Sequence, residues 1–291
     1  MGIFLGIFSA LSWGTSDLLA RFSTRKIGTF RTMLYMQLLG CVLLTLVMPW
    51  LGGWTAFTGP HGLRAGLFGV AAGLLNTCST LALYRSFEVG KMSVVAPLSA
   101  SYPVLTMFLS VLTGEQLTAA RLVGILLTIF GAVLVARGEQ GASDSNVPAA
   151  DEKKYRGVGW AILAALGYGV MFWLLGVRVV PLLGAGLSVW IIRLMSVLGT
   201  LAIVLAIRSP IKLPAEGAGP WVWGIGVLDT LTYVLNNFGM QHEQTSVVSV
   251  LSSLYGAVTV GLAALILKES VAKLQWAGIG CVFGGIVLIG L

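Results

Sequence analysis

Charge is what this sequence has least of. Only 10% of its 291 residues are charged, 11 acidic against 18 basic, where a soluble domain carries about 25%. Histidine occurs twice, at His61 and His242, both near predicted loops. There is no HExxH pair, no Walker A sequence and no nucleophile–base arrangement, so neither zinc hydrolysis nor ATP-driven work is expected. Cysteine occurs three times, at Cys41, Cys78 and Cys281, always inside apolar runs. That spacing suits neither disulfides nor metal ligation, and the three read as small packing residues. The first apolar run lacks a basic flank before it and a small-residue cleavage site after it. It is expected to be a retained helix and not a signal peptide.

What the sequence has instead is hydrocarbon. Hydrophobic residues make up 57% of it, and the mean hydropathy is +0.92. A membrane-spanning helix needs about 20 apolar residues. Ten such spans are predicted, at roughly 2–20, 31–50, 64–85, 92–113, 118–137, 157–178, 182–207, 219–240, 245–267 and 272–290. The longest polar stretch, GEQGASDSNVPAADEKKYR from Gly138 to Arg156, reads as a linker. It divides the chain into a first unit at 1–137 and a second at 157–291.

The two units repeat one another. GIFLGIFSALSWG from Gly2 matches GVGWAILAALGYG from Gly157, with small residues at every fourth position in both. Such a stripe lets another helix approach closely. SVVAPLSASYPVLT from Ser93 matches SVVSVLSSLYGAVT from Ser246, and the runs after GEQL and KESV match in turn. Because five is odd, the second unit is expected to enter the membrane from the opposite side. The predicted fold is an all-α membrane protein of ten transmembrane helices, arranged as two inverted five-helix repeats around a central cavity.

These motifs, in this order and duplicated, resemble the drug/metabolite transporter superfamily, EamA type. The likeness covers essentially the whole chain. It implies a multi-pass protein of the cell (inner) membrane, with a cavity lined by helices 1, 3, 4, 6, 8 and 9. Helices 5 and 10 would lie at the back, in a monomer or in a homodimer through those helices. The superfamily moves amino acids, sugar and nucleotide conjugates and organic cations, so the resemblance does not name a substrate.

Polar residues inside the spans mark the candidate site. In helix 8, Asp229, Tyr233, Asn236 and Asn237 share one face. Asp229 lies near the midplane, where a charged aspartate costs about 2.5–3.5 kcal/mol on insertion scales. Either a polar site for substrate or protons, or a pair with Arg193, would offset that cost. The repeat sets Asn76 opposite Asp229 and Tyr84 opposite Asn237, with Thr80 on the same face. Helices 4 and 9 carry matching stripes, Ser99, Tyr102, Thr106 and Ser252, Tyr255, Thr259, and Trp13 aligns with Tyr168. The expected substrate-binding set is Trp13, Asn76, Tyr84, Tyr102, Tyr168, Asp229, Tyr233, Asn236 and Tyr255. Asp229, Asp17 and Arg193 are candidates for coupling or gating. An aromatic-walled pocket holding a carboxylate suits an organic cation, or an amino acid.

Asp17 is expected near the end of helix 1, with Arg21 four residues on at ion-pair spacing. Glu115 and Glu269 are read as charges at the N-termini of helices 5 and 10. Pro97 and Pro103 are expected to kink helix 4, where helix 9 has Val250 and Gly256.

Lysine and arginine concentrate in loops after odd-numbered helices, including Arg21, Arg25, Lys26, Arg85, Lys91, Lys153, Lys154, Arg208 and Lys268. The positive-inside rule then sets those loops in the cytoplasm and both termini outside, whereas the resemblance implies termini inside. The predicted function is a secondary transporter of a small metabolite, proton-coupled or exchanging, without cofactor, metal or nucleic acid. A channel or membrane sensory scaffold is the alternative reading; a membrane enzyme is not expected.

Overall fold

The computed structural model describes residues 2–51, 54–55, 62–116, 118–138, 157–208, 211, 217–242, 245–269 and 271–290. Residues 139–156 of the predicted linker lie outside the described residues. Among the described residues there are helices and no strands. The helices are α1 (Gly2–Ile27), α2 (Thr29–Val47), α3 (Gly62–Val89), α4 (Met92–Ser99), α5 (Pro103–Leu112), α6 (Ala119–Gly138), α7 (Val158–Leu174), α8 (Val180–Ala206), α9 (Gly219–His242), α10 (Thr245–Ser253), α11 (Tyr255–Ile266) and α12 (Lys273–Gly290).

Among the described residues, five helical segments are apolar and long enough to cross a membrane: Thr29–Trp50, Gly62–Val89, Met92–Leu112, Val158–Ala206 and Val248–Ile266. Two shorter apolar helices, Ala119–Val135 and Lys273–Ile289, accompany them. Leu67, Leu126, Phe130 and Leu265 are among many large apolar side chains left exposed. On a soluble domain these would form an outsized apolar patch; here they are the lipid-facing surface of an integral membrane protein.

The predicted fourth and ninth spans are each broken in two. Pro103 has no N–H, and its ring opposes the carbonyl of Ser99, so α4 ends and α5 restarts with proline in its first turn. The ninth span breaks at Leu254 without proline, which the sequence did not signal. Gly256, just past that break, lies against the first: a methyl there would come within 2.6 Å of Ala100 Cβ. Irregular backbone is tolerated at membrane depth where protein surrounds it. The boundary between the sixth and seventh spans also shifts. The helix runs on through a π turn at Leu175–Val179, and the non-helical residue is Gly184, at φ 75° and ψ 171°. A positive φ is open to glycine at little steric cost.

Two pairs of helix contacts resemble each other. α1 packs on α9 and α3 on α7. A methyl at Gly14 would meet Val258 Cβ at 2.6 Å and the Tyr255 carbonyl oxygen at 3.1 Å; one at Gly169 would meet Leu105 Cβ at 2.7 Å and the Tyr102 carbonyl oxygen at 3.0 Å. A similar close approach therefore occurs at Gly14 and at Gly169. At the back, α6 and α12 pack through glycines. Gly124 faces Gly285 and Gly131 faces Gly278, so rising number on one helix meets falling number on the other, and the two run antiparallel.

In lipid, close backbone approach takes over from hydrophobic burial as the source of helix association. A methyl at Gly131 would lie 2.5 Å from Val282 N and 2.6 Å from the Gly278 carbonyl oxygen. Gly131→Ala is therefore expected to lose about 1–3 kcal/mol by overpacking. The check is a lower unfolding temperature for the purified variant in detergent; an unchanged temperature would show that the α6–α12 contact is looser than described.

Candidate functional site

α1 delivers Trp13 and Asp17, one turn apart, to the centre of the bundle. α3 adds Thr80, Leu83 and Tyr84, α7 adds Tyr168 and Phe172, and α9 adds Asp229 and Tyr233. Tyr102 and Tyr255 come from the two broken spans, at their break points. These eleven residues line one central cavity. The periodicity explains the selection: Thr80 and Tyr84, Tyr168 and Phe172, and Asp229 and Tyr233 are each separated by four residues, one helical turn.

The wall is aromatic. The Trp13 ring meets Tyr233 at 5.2 Å, Tyr255 at 5.9 Å and Phe172 at 6.1 Å, all edge to face. Phe172 stacks on Tyr102 at 4.9 Å. Three of the tyrosine hydroxyls are tied down individually. Tyr168 pairs with Thr80 Oγ1 at 2.9 Å. Tyr102 pairs with Ser252 Oγ at 2.8 Å and reaches the Ser249 carbonyl at 3.0 Å. Tyr233 donates to Asn76 Oδ1 at 2.7 Å, and Asn76 Nδ2 donates to Ser196 Oγ at 2.9 Å. A wall held this way keeps its shape without a ligand.

The two carboxylates differ in their partners. Arg193 donates to Asp229 Oδ2 at 2.7 Å, and Trp13 Nε1 donates to Oδ1 at 2.9 Å. Arg193 also donates to Gln37 Oε1 at 2.6 Å and lies 5.0 Å from the Tyr233 ring centre. The Arg193 pair, one of two readings open for Asp229, is thus present. Asp17 has no cationic partner among the described residues; its one hydrogen bond is from Thr259 Oγ1 at 3.2 Å.

Two expectations are corrected here. The Asp17–Arg21 pair does not form. Asp17 is buried in the cavity wall, at 7% exposure, because α1 runs to Ile27 and carries this turn inside the protein. Arg21 instead donates to the carbonyls of Phe87 and Gly90 and approaches Glu269 at 3.6 Å. Glu269 does not serve its own following helix either. It accepts from the backbone N–H groups of Met92, at 3.3 Å, and Ser93, at 3.0 Å, capping α4, far away in sequence.

Of the predicted binding residues, Trp13, Tyr84, Tyr102, Tyr168, Asp229, Tyr233 and Tyr255 line the cavity, with Asp17. Asn76 stands behind Tyr233. Asn236 is buried but is not among the cavity-lining residues, and its amide has no hydrogen-bond partner among the described residues. Phe172 was missed, although the repeat that aligns Trp13 with Tyr168 also aligns Asp17 with Phe172 and could have drawn notice to it.

Comparison with known proteins agrees with this architecture. A solved protein, described only as "Crystal structure of protein", matches with a TM-score of 0.69 over 99% of this chain and 95% of its own. Its identity is 16%, so the likeness speaks to the fold alone. The uncharacterized protein MJ1333.1 of Methanocaldococcus jannaschii is 36% identical over 70 residues, 24% of this chain. The match spans about half of that relative's length, 51%. The EamA-like transporter family matches residues 1–137 and 155–291, nearly the whole chain. The chain belongs to the EamA-like transporter family.

Proposed function

We propose that this protein is a secondary transporter that carries a small organic cation or amine-bearing solute by alternating access. The observation that carries the reading is Asp17: a buried carboxylate without a cationic partner among the described residues, in a cavity walled by Trp13, Tyr84, Tyr102, Tyr168, Phe172, Tyr233 and Tyr255. A cation there gains both charge pairing and contact with ring faces. Asp229, already neutralised by Arg193, orients Trp13. Asn76 acts through Tyr233. A carboxylate that holds either a proton or an amine, but not both, would couple the two fluxes by exchange. The substrate test is a thermal-shift comparison of choline with its neutral isostere 3,3-dimethyl-1-butanol. A ligand at about 100 times its dissociation constant stabilises by about 2.7 kcal/mol. Stabilisation by choline alone is expected; equal response to the two would remove the cation from the account.

Alternating access needs two units able to rock against each other, and we read the chain as ten crossings in two inverted repeats of 1–137 and 157–291, joined by 138–156. Support comes from the antiparallel run of α6 along α12 and from the duplicated Gly14 and Gly169 contacts. The 49 residues of Val158–Ala206 are long enough for two crossings of about 20 residues each. The charge bias sets the linker in the cytoplasm and both termini outside. With Cys41, Cys78 and Cys281 replaced by serine, Ser145→Cys is expected to resist an impermeant thiol reagent in intact cells. A cysteine appended after Leu291 is expected to react. The reverse pattern would invert the orientation.

A further inference from the structure

One turn beyond Asp17 on α1 lies a second open space, lined by Arg21, Phe22, Arg25, Lys26, Leu267 and Glu269. At its edge Arg21 donates to the carbonyls of Phe87 and Gly90 and approaches Glu269. Its charge is unbalanced: three cations face one carboxylate, and that carboxylate is already engaged by the N–H groups of Met92 and Ser93.

The imbalance has a cost. Arg21 and Arg25 stand four residues apart, and like charges at that spacing destabilise a helix by about 0.2–0.5 kcal/mol. Arg25 is exposed and has no ion-pair partner among the described residues. Lys26 lies over Trp221, its Nζ 5.3 Å from the ring centre, which holds the ammonium beside the same space. A topological bias for basic loops accounts for positive charge at this end of the bundle. It does not account for an arginine that is only 4% exposed converging with two other cations on one hollow.

We propose that this vestibule is an oxyanion site, in which Arg21, Arg25 and Lys26 bind a phosphate group, carried by an anionic lipid headgroup or by a free phosphorylated solute. Arginine forks match the spread oxygens of phosphate, and Lys26 adds a point charge. Bound phosphate relieves the Arg21–Arg25 repulsion and shares Arg21 with Glu269. The site stands independently of which solute occupies the central cavity.

The test uses the purified full chain. In detergent, inorganic phosphate is titrated against chloride at matched ionic strength and pH, with unfolding temperature as the readout. In parallel, nanodiscs of phosphatidylglycerol are compared with nanodiscs of phosphatidylcholine. A higher unfolding temperature in phosphate, or in phosphatidylglycerol, is expected for the wild type. The apparent phosphate affinity should fall about tenfold in Arg25→Gln, the loss of one charge-assisted contact. Lys26→Gln provides a second variant, also exposed, should the first fold poorly. Stabilisation by phosphatidylglycerol alone assigns a lipid headgroup, and by phosphate alone a free solute. If neither probe distinguishes wild type from both variants, the site does not exist.

Discussion

Arg193→Met is expected to cost about 3–5 kcal/mol of stability, the range for breaking a buried ion pair from one side. Arg193 is fully buried, and its loss leaves Asp229 charged near the middle of α9 with only the Trp13 indole to compensate it. Removing both charges together is a different experiment. Arg193→Met with Asp229→Asn should recover most of the loss, because an apolar replacement of a buried pair is often close to neutral. Unfolding temperatures of the three variants in one detergent, compared as a double-mutant cycle, give the coupling. Additive losses would mean that the two side chains do not depend on each other.

Asp17→Asn should leave the fold intact and remove the ligand. The substitution keeps the size and the Thr259 contact, and it breaks no ion pair among the described residues. Loss of a desolvated charge pair costs about 2–5 kcal/mol, so choline affinity should weaken by at least about 30-fold, the equivalent of 2 kcal/mol. Quenching of Trp13 fluorescence reads the binding directly, although the other tryptophans add background. A Trp13→Phe control isolates the signal. Wild-type affinity should rise with pH, as protons and choline compete for one carboxylate, and Asp17→Asn should lose that dependence. Unchanged affinity in Asp17→Asn would return the charge role to Asp229.

Much of this was legible in the sequence because membrane helices carry few signals, and each is strong. Long apolar runs located the helices, and the repeat located equivalent positions. That is why Trp13, Tyr102, Tyr168, Tyr233 and Tyr255 could be gathered from five separate segments before their contacts were known. Partners were less legible. Helical spacing offered Arg21 to Asp17, but spacing describes one helix in isolation. In the folded chain, the free carbonyls of Phe87 and Gly90 at the end of α3 compete for the same guanidinium. Sequence proximity likewise points Glu269 to the helix that follows it, whereas α4, far away in sequence, presents its N–H groups to it. The break at Leu254 had no proline to announce it. Asn236 and Phe172 show the same limit from both sides: a face of a helix can be predicted, but which part of that face meets the cavity depends on the neighbours.

The most direct measurement of the central claim is counterflow in proteoliposomes. Vesicles holding the purified protein are loaded with unlabelled choline, and uptake of labelled choline is followed from outside. The account predicts saturable uptake, accelerated by the internal choline, blocked by Asp17→Asn and insensitive to 3,3-dimethyl-1-butanol. Linear flux that ignores the internal solute would indicate a passive pore. Uptake that persists in Asp17→Asn would contradict the assignment of this cavity as a carboxylate-centred cation site.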